Sequence, residues 1–309
     1  MVATETIGNV VAGDISSGDE KELIFNCAWW MKKQGLAEQT IESRTKILRI
    51  LAKRGVNLHD PESVKDGIAR QKWCAGRKEN AVLSYTTLLK MLGKTWTPPR
   101  YRRIEKDPWI PTESEVDQLI AGSSTKVSTF LQLLKETGMR PGEAWSLKWT
   151  DINTENSTVR ITPEKGSNPR TLKLSSRLLS MMNKLERGKI YVFNNGLLDH
   201  FAQNFRQQRK AVAWKLNNSR INQINFKTLR HFKATMEYHK TKDILHVKYL
   251  LGHKRIENTL IYTHLVDFGN DEYVSKVAKN ATEACQLVEA GFDFVCSTPD
   301  GLIVFRKRK

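Results

Sequence analysis

Residues 227–263 read KTLRHFKATMEYHKTKDILHVKYLLGHKRIENTLIYT, and Arg230, His253 and Tyr262 occur in that order along them. Apolar positions recur at helical spacing, so 228–239, 243–251 and 256–268 are expected to be helices. Lys227 and Arg230 are three apart and share one helical face. Farther upstream, Arg140 in ETGMRPGEA (136–144) can complete the set. Cationic side chains around a phenol suit attack on a phosphodiester by tyrosine, with the cations holding its anionic oxygens.

Working outward, PTESEVDQLIAG (111–122) carries Thr112 or Ser114 as a helix cap, with Glu113 and Glu115 in the first turn. The next helix ends at Gly138. Pro141 opens another, so Arg140 falls at a helix-to-helix junction, its head group held by backbone geometry. From 149 to 175 threonine, valine and isoleucine alternate with polar residues, which predicts a small sheet with Lys165 and Gly166 at a hairpin. A long helical pattern is read over 175–217. The end of the chain reads as a helix over 274–291, then strand, Pro-Asp-Gly turn and strand.

Toward the other end, residues 21–93 read as short amphipathic helices, among them ELIFNCAWWMKKQG, TIESRTKILRILAKRG and ENAVLSYTTLLKMLG, with glycines just past the helix ends. Residues 1–18 show no clear period and are read as a flexible leader. TWTPPRYRR (95–103) stops helix propagation at Pro98 and Pro99 and then supplies Arg100, Arg102 and Arg103. Two readings of it stay open, a solvated connector and a segment lying along a phosphate backbone. The expected domains are therefore 19–95 helical, 96–106 basic linker, 107–268 catalytic, and 269–309 a helix and hairpin tail. The fold class is mostly α with a small antiparallel β-sheet.

At 309 residues, two separate cores are expected. Fifty lysines and arginines against 33 acids give a net charge of +17 and point to a polyanionic partner. Cys27, Cys74, Cys285 and Cys296 form no CxxC pair and are read as reduced thiols, with no metal site implied. No apolar run is long enough to span a bilayer, so a cytoplasmic, nucleoid-associated protein without membrane contact is expected.

ETGMRPGEAWSLKWTDI, the lysine of PEKGSNPR, KTLRHFKAT and LLGHKRIENTLIYTHL together resemble the tyrosine site-specific recombinases, the family of phage-type integrases and Xer recombinases. The resemblance covers roughly residues 21–265. It implies a two-domain clamp, a helical core-binding domain plus a mixed α/β catalytic domain, acting on double-stranded DNA at specific recombination sites. Tyr262 becomes the nucleophile, Arg140 and Arg230 the clamp on the scissile phosphate, Lys165 the general acid and His253 a further phosphate contact. Lys165 has Lys148 and Lys173 as competitors. Where the family usually has histidine, this chain has Lys227, similar to some integrases of archaeal viruses and plasmids. Lysine donates to a phosphate oxygen but is a poor base near neutral pH unless its pKa is lowered. His231 is given no catalytic role, and His264 a structural one.

The expected reaction is cleavage and rejoining of DNA through a 3′-phosphotyrosyl bond without cofactor, ATP or metal, in integration or excision of a mobile element. Type IB topoisomerase-like relaxation and non-catalytic DNA binding are the alternatives. The resemblance also implies a homo-oligomer, a dimer on a site and a tetramer in the synapse. The 274–291 helix either docks on a neighbouring subunit or folds back on its own domain.

Overall fold

The structure is a computed structural model that describes residues 19–104, 106–164, 166–187, 190–193, 196–263, 265, 273–298 and 301–308. The expected leader, 1–18, lies outside them. The described residues separate into two compact units between Lys106 and Asp107.

The first unit is built from α1 (Asp19–Lys33), α2 (Glu38–Lys53), α3 (Pro61–Ala69) and α4 (Ala75–Met91). Cys27, Met31, Leu48, Leu51, Tyr85 and Leu88 are buried in one core. Three of these helices were expected individually. The start of α3 is written in Asp60-Pro61: the Asp60 carboxylate accepts the N–H groups of Glu62 and Ser63, and proline takes the first helical position. The 95–103 segment is anchored to this unit. Trp96 donates its indole N–H to Thr86 and packs edge-on to Tyr85, Tyr101 joins the same core, and Arg103 pairs with Glu79.

The second unit begins with α5 (Glu113–Ala121), where Thr112 and Glu115 form a reciprocal capping box, and α6 (Thr125–Thr137). The short α7 (Pro141–Trp145) follows, then an antiparallel sheet in spatial order of β1 (Ile152–Asn153), β2 (Thr158–Ile161) and β3 (Arg170–Lys173). The remaining helices are α8 (Ser176–Asn183), α9 (Leu198–Lys215), α10 (Phe226–Thr241), α11 (Ile244–Leu251) and α12 (Glu257–Leu260). Phe130 of α6 meets Phe193, Phe201 and Phe226 edge-on at centroid distances of 5.1, 5.0 and 5.0 Å. Each such ring pair adds about 0.5–1.5 kcal/mol beyond the area buried. This aromatic knot fixes α6 against α10, the elements that flank Arg140 and carry Arg230.

Three helical expectations are corrected. Among the described residues the 175–217 run is two helices, separated by a non-helical stretch in which Val192 and Phe193 are buried. Tyr191 bridges Lys148 there, and Val192 N–H donates to the Leu147 carbonyl. Among the described residues of the 256–268 run, 256–263 and 265, the helix is only the four-residue α12. After it, Tyr262 and Thr263 N–H reach back three residues, and the Thr263 hydroxyl takes the Leu260 carbonyl, so the chain tightens into a turn. The 274–291 run begins as a strand, because its valines pair with the chain end.

That tail comprises β4 (Tyr273–Ala278), α13 (Ala281–Glu289), β5 (Asp293–Ser297) and β6 (Ile303–Arg308), with strand order β4-β6-β5. Asn280 caps α13 and so marks where strand gives way to helix. The two expected strands are present as the antiparallel pair β5 and β6, while Pro299 and Asp300 of the expected turn lie outside the described residues.

Candidate active site

Arg140 is the N-cap of α7, directly after α6 stops at Gly138. Gly138 has φ of +62°, and a Cβ there would lie 3.3 Å from Leu250, Leu251 and Lys233 side-chain atoms, so both backbone and space call for glycine. The Arg140 head group is held mainly by a carboxylate. Glu143 Oε2 accepts the Arg140 backbone N–H at 2.9 Å, and Oε1 accepts its Nη1 at 3.1 Å. Arg170 Nη2 donates to Glu143 at 2.7 Å, and the Ser167 hydroxyl at 3.1 Å. Burial pushes the Glu143 carboxyl up, but the Arg170 and Arg140 hydrogen bonds and charges outweigh it and hold it at about 2. Glu143 is therefore ionised, and Arg140 keeps 24% of its side chain open to solvent.

Arg230, on α10, is buried and forks between two backbone carbonyls. Its Nη1 donates to Gly138 at 2.6 Å and its Nη2 to Leu251 at 2.7 Å. Leu251 ends α11, so its carbonyl belongs to the unpaired, partly negative end of a helix. Burial, then the nearby Arg140 charge, lowers the Arg230 pKa to about 10, which leaves it cationic at neutral pH. Gly252 turns the chain with φ of +67°, and its carbonyl accepts Asn168 N–H at 3.0 Å, tying the β2–β3 loop to the end of α11. The next residue is His253. Its Nδ1 lies 2.9 Å from the Thr259 hydroxyl, and burial followed by the charges of Arg230 and Arg140 lowers it to about 4, so the ring is neutral at pH 7.

Tyr262 is 3% exposed, its ring packed with Ala234, Val247, Leu250 and Leu251. Its hydroxyl lies 2.9 Å from His231 Nδ1. Burial raises the phenol to about 12, opposed by the charges of Arg230 and then Arg140. His231 is lowered to about 4 by burial, then by Lys227 and Arg230. Lys227, Arg230 and His231 occupy one face of α10, with Lys227 exposed.

A sequence model described as the phage integrase family matches residues 111–267, more than half of the chain. The chain belongs to the phage integrase family. A "Tyrosine recombinase" of Thermosipho africanus is 33% identical over 187 residues, which cover 58% of this chain and 64% of that protein. "Tyrosine recombinase XerA" of Saccharolobus solfataricus is 26% identical over 65% of this chain and 68% of its own length. Among solved structures, the Tn1549 transposon integrase in complex with transposon right end DNA superposes with a TM-score of 0.63, covering 87% of this chain and 99% of that one at 13% identity. The fold is thus shared far beyond recognisable sequence identity.

In this phage integrase family chain, then, Arg140, Arg230, His253 and Tyr262 come together from four segments of one unit, with Lys227 on the same face of α10. Lys165 lies outside the described residues, as does His264. Of the competitors to Lys165, Lys148 stands 6.0 Å from the centre of the Tyr191 ring, and Lys173 is an exposed residue of β3. Arg100 and Arg102 are exposed in the first unit, whereas Arg103 is engaged by Glu79. Three residues of the site carried no assignment from sequence: Glu143, Arg170 and His231. Glu143 had a usable signal, a carboxylate three residues after a helix N-cap. Arg170 and His231 had none beyond adjacency, since their partners lie far along the chain.

Proposed function

We propose that this chain is a site-specific DNA recombinase that cleaves and rejoins duplex DNA through a 3′-phosphotyrosyl intermediate, in the integration or excision of a mobile element. The observation that carries this reading is the phenol of Tyr262, seated in the field of two guanidinium groups from separate segments of the same chain.

Tyr262 Oη attacks the scissile phosphorus in line. Charge that builds on the non-bridging oxygens is held by Arg140, whose head is partly open to solvent, and by the donors of Arg230 not committed to carbonyls. His253, its ring fixed by Thr259, and exposed Lys227 supply further donors. Lys165 protonates the departing 5′ oxygen. The products are a phosphotyrosine and a free 5′ hydroxyl, and attack by a 5′ hydroxyl reverses the step, so the bond energy is retained. Because Tyr262 packs against its own α10 and α11, delivery in cis is the reading supported. Double-stranded DNA bearing paired sites is the partner, on which the protein assembles as a homo-oligomer.

The test is covalent trapping. Full-length protein is incubated with nicked duplexes tiled from element and host DNA, denatured, and the protein-linked junction sequenced. Wild type is expected to give an adduct at one sequence, and Tyr262→Phe to bind that duplex without an adduct. An adduct that survives Tyr262→Phe overturns the assignment of the nucleophile. Relaxation of site-free supercoiled plasmid with no exchange between paired sites overturns recombination.

A further inference from the structure

On this recombinase reading, one problem of proton transfer remains. The Tyr262 phenol must lose its proton as the Oη–P bond forms, and at the helical position where the family usually has histidine this chain has Lys227, whose ammonium form only donates. One turn on, His231 sits with Nδ1 2.9 Å from the phenolic oxygen. We infer that His231 is a catalytic base for this chain: its Nδ1 takes the Tyr262 proton during strand cleavage and returns it to the phenolate during resealing.

The direction of the hydrogen bond follows from the groups involved. The phenol, raised to about 12, is protonated at neutral pH, and the imidazole, lowered to about 4, is neutral. The O–H therefore donates, Nδ1 presents its lone pair, and the ring hydrogen is on Nε2. In cleavage the Oη–H bond breaks as Oη bonds to phosphorus, and the P–O5′ bond breaks with O5′ protonated by the general acid. His231 becomes imidazolium, and the proton count closes when resealing runs the same steps backward.

In the free protein the groups facing His231 are Lys227 and Arg230 on its own helix, Tyr262 after α12, and His253 on the loop after α11. Both charged members of that set are cations, which oppose protonation of the ring. A phosphodiester brings a negative charge among them and shifts the imidazole upward, so the base gains strength only when substrate is bound. No freestanding strong base is then left beside an idle nucleophile.

The experiment uses full-length protein and a nicked duplex carrying the site recovered by trapping, made with either an ordinary or a bridging 5′-phosphorothiolate linkage, whose thiolate leaves without a proton. His231→Asn keeps an acceptor near the Nδ1 position but is not basic. It is expected to slow adduct formation about 10²-fold or more on both linkages and to remove the acid limb of the wild-type pH–rate profile. Lys165→Ala should be slow on oxygen and restored on sulfur. Added imidazole should partly restore His231→Ala, with melting temperature reporting that each variant folds. His231→Asn cleaving within about threefold of wild type overturns the inference, as does a His231→Asn defect that sulfur repairs; should both variants fail to fold, a wild-type profile with no acid limb overturns it. Wild type forming no adduct on either linkage sinks the recombinase reading itself, a result distinct from both.

Discussion

Arg170 Nη2 lies 2.7 Å from Glu143 Oε2, and neither side chain has surface open to solvent. Arg170 also donates through Nε to the Leu250 carbonyl at 2.8 Å, so this pair joins β3, α7 and α11. Glu143 passes that fixity to Arg140. Removing one member of a buried pair strands the other charge, at a cost of about 3–5 kcal/mol. Arg170→Ala and Glu143→Ala are each expected to lower the urea midpoint accordingly. Since Arg140 loses its anchor in Glu143→Ala, that variant should also bind the trapped duplex more weakly at a concentration where it remains folded.

Arg230→Lys and Arg140→Lys separate grip from structure. A lysine at 230 cannot span the Gly138 and Leu251 carbonyls, and one charged hydrogen bond lost costs about 1.5–3 kcal/mol. At 140, a partly exposed position, the stability change should stay under about 1 kcal/mol. Both should lower cleavage about 10²–10³-fold. Denaturation midpoints and single-turnover cleavage, measured on the same preparations, check the contrast.

Gly252 and Gly93 share φ of +67° but differ in surroundings. A Cβ at 252 would stand 2.8 Å from Arg170 Nη1 and 2.9 Å from the Asn168 carbonyl, whereas at 93 nothing lies within 4 Å. Gly93→Ala should cost its unit only the left-handed backbone penalty, about 1–2 kcal/mol. Gly252→Ala should add a crowding penalty of about 1–3 kcal/mol. Hydrogen exchange in the helix that each glycine ends reads the two locally.

Acid should destabilise the second unit in two stages. His231 and His253, held at about 4 against an ordinary 6.5, are neutral in the fold while the unfolded chain takes up protons, so stability falls from pH 6.5 to 4 and this contribution levels off below. Glu143, held at about 2 against 4.5, contributes fully above 4.5 and loses that contribution as pH falls through 2. Urea midpoints from pH 7 to 2.5 should show both slopes. His231→Asn and His253→Asn flatten the upper stage and Glu143→Gln the lower; an unchanged midpoint between pH 6.5 and 4.5 would contradict the burial described for the two imidazoles.

Local signals in the sequence carried most of the framework. The Thr112 cap, the Gly138 stop and the Pro141 start each depend on residues within one helical turn, and each is present in the fold. What escaped depends on distant partners. Residues 190–193 leave the helical path because they meet Lys148 and Leu147 some way back along the chain, and β4 is a strand because β6 pairs with it. The same holds in the site. Arg140 could be placed at a junction from its neighbours, but the carboxylate that steadies it is itself steadied by Arg170, and no spacing announces that. His231 looked idle because the hydroxyl it faces comes 31 residues later.

The fork of Arg230 has a consequence for how such a protein can change. The guanidinium proposed to seize DNA is also the rivet through which two helix ends are fastened, so a substitution that loosens the hold on substrate loosens the scaffold with it. Tuning of target strength falls to cations outside that rivet, such as exposed Lys227.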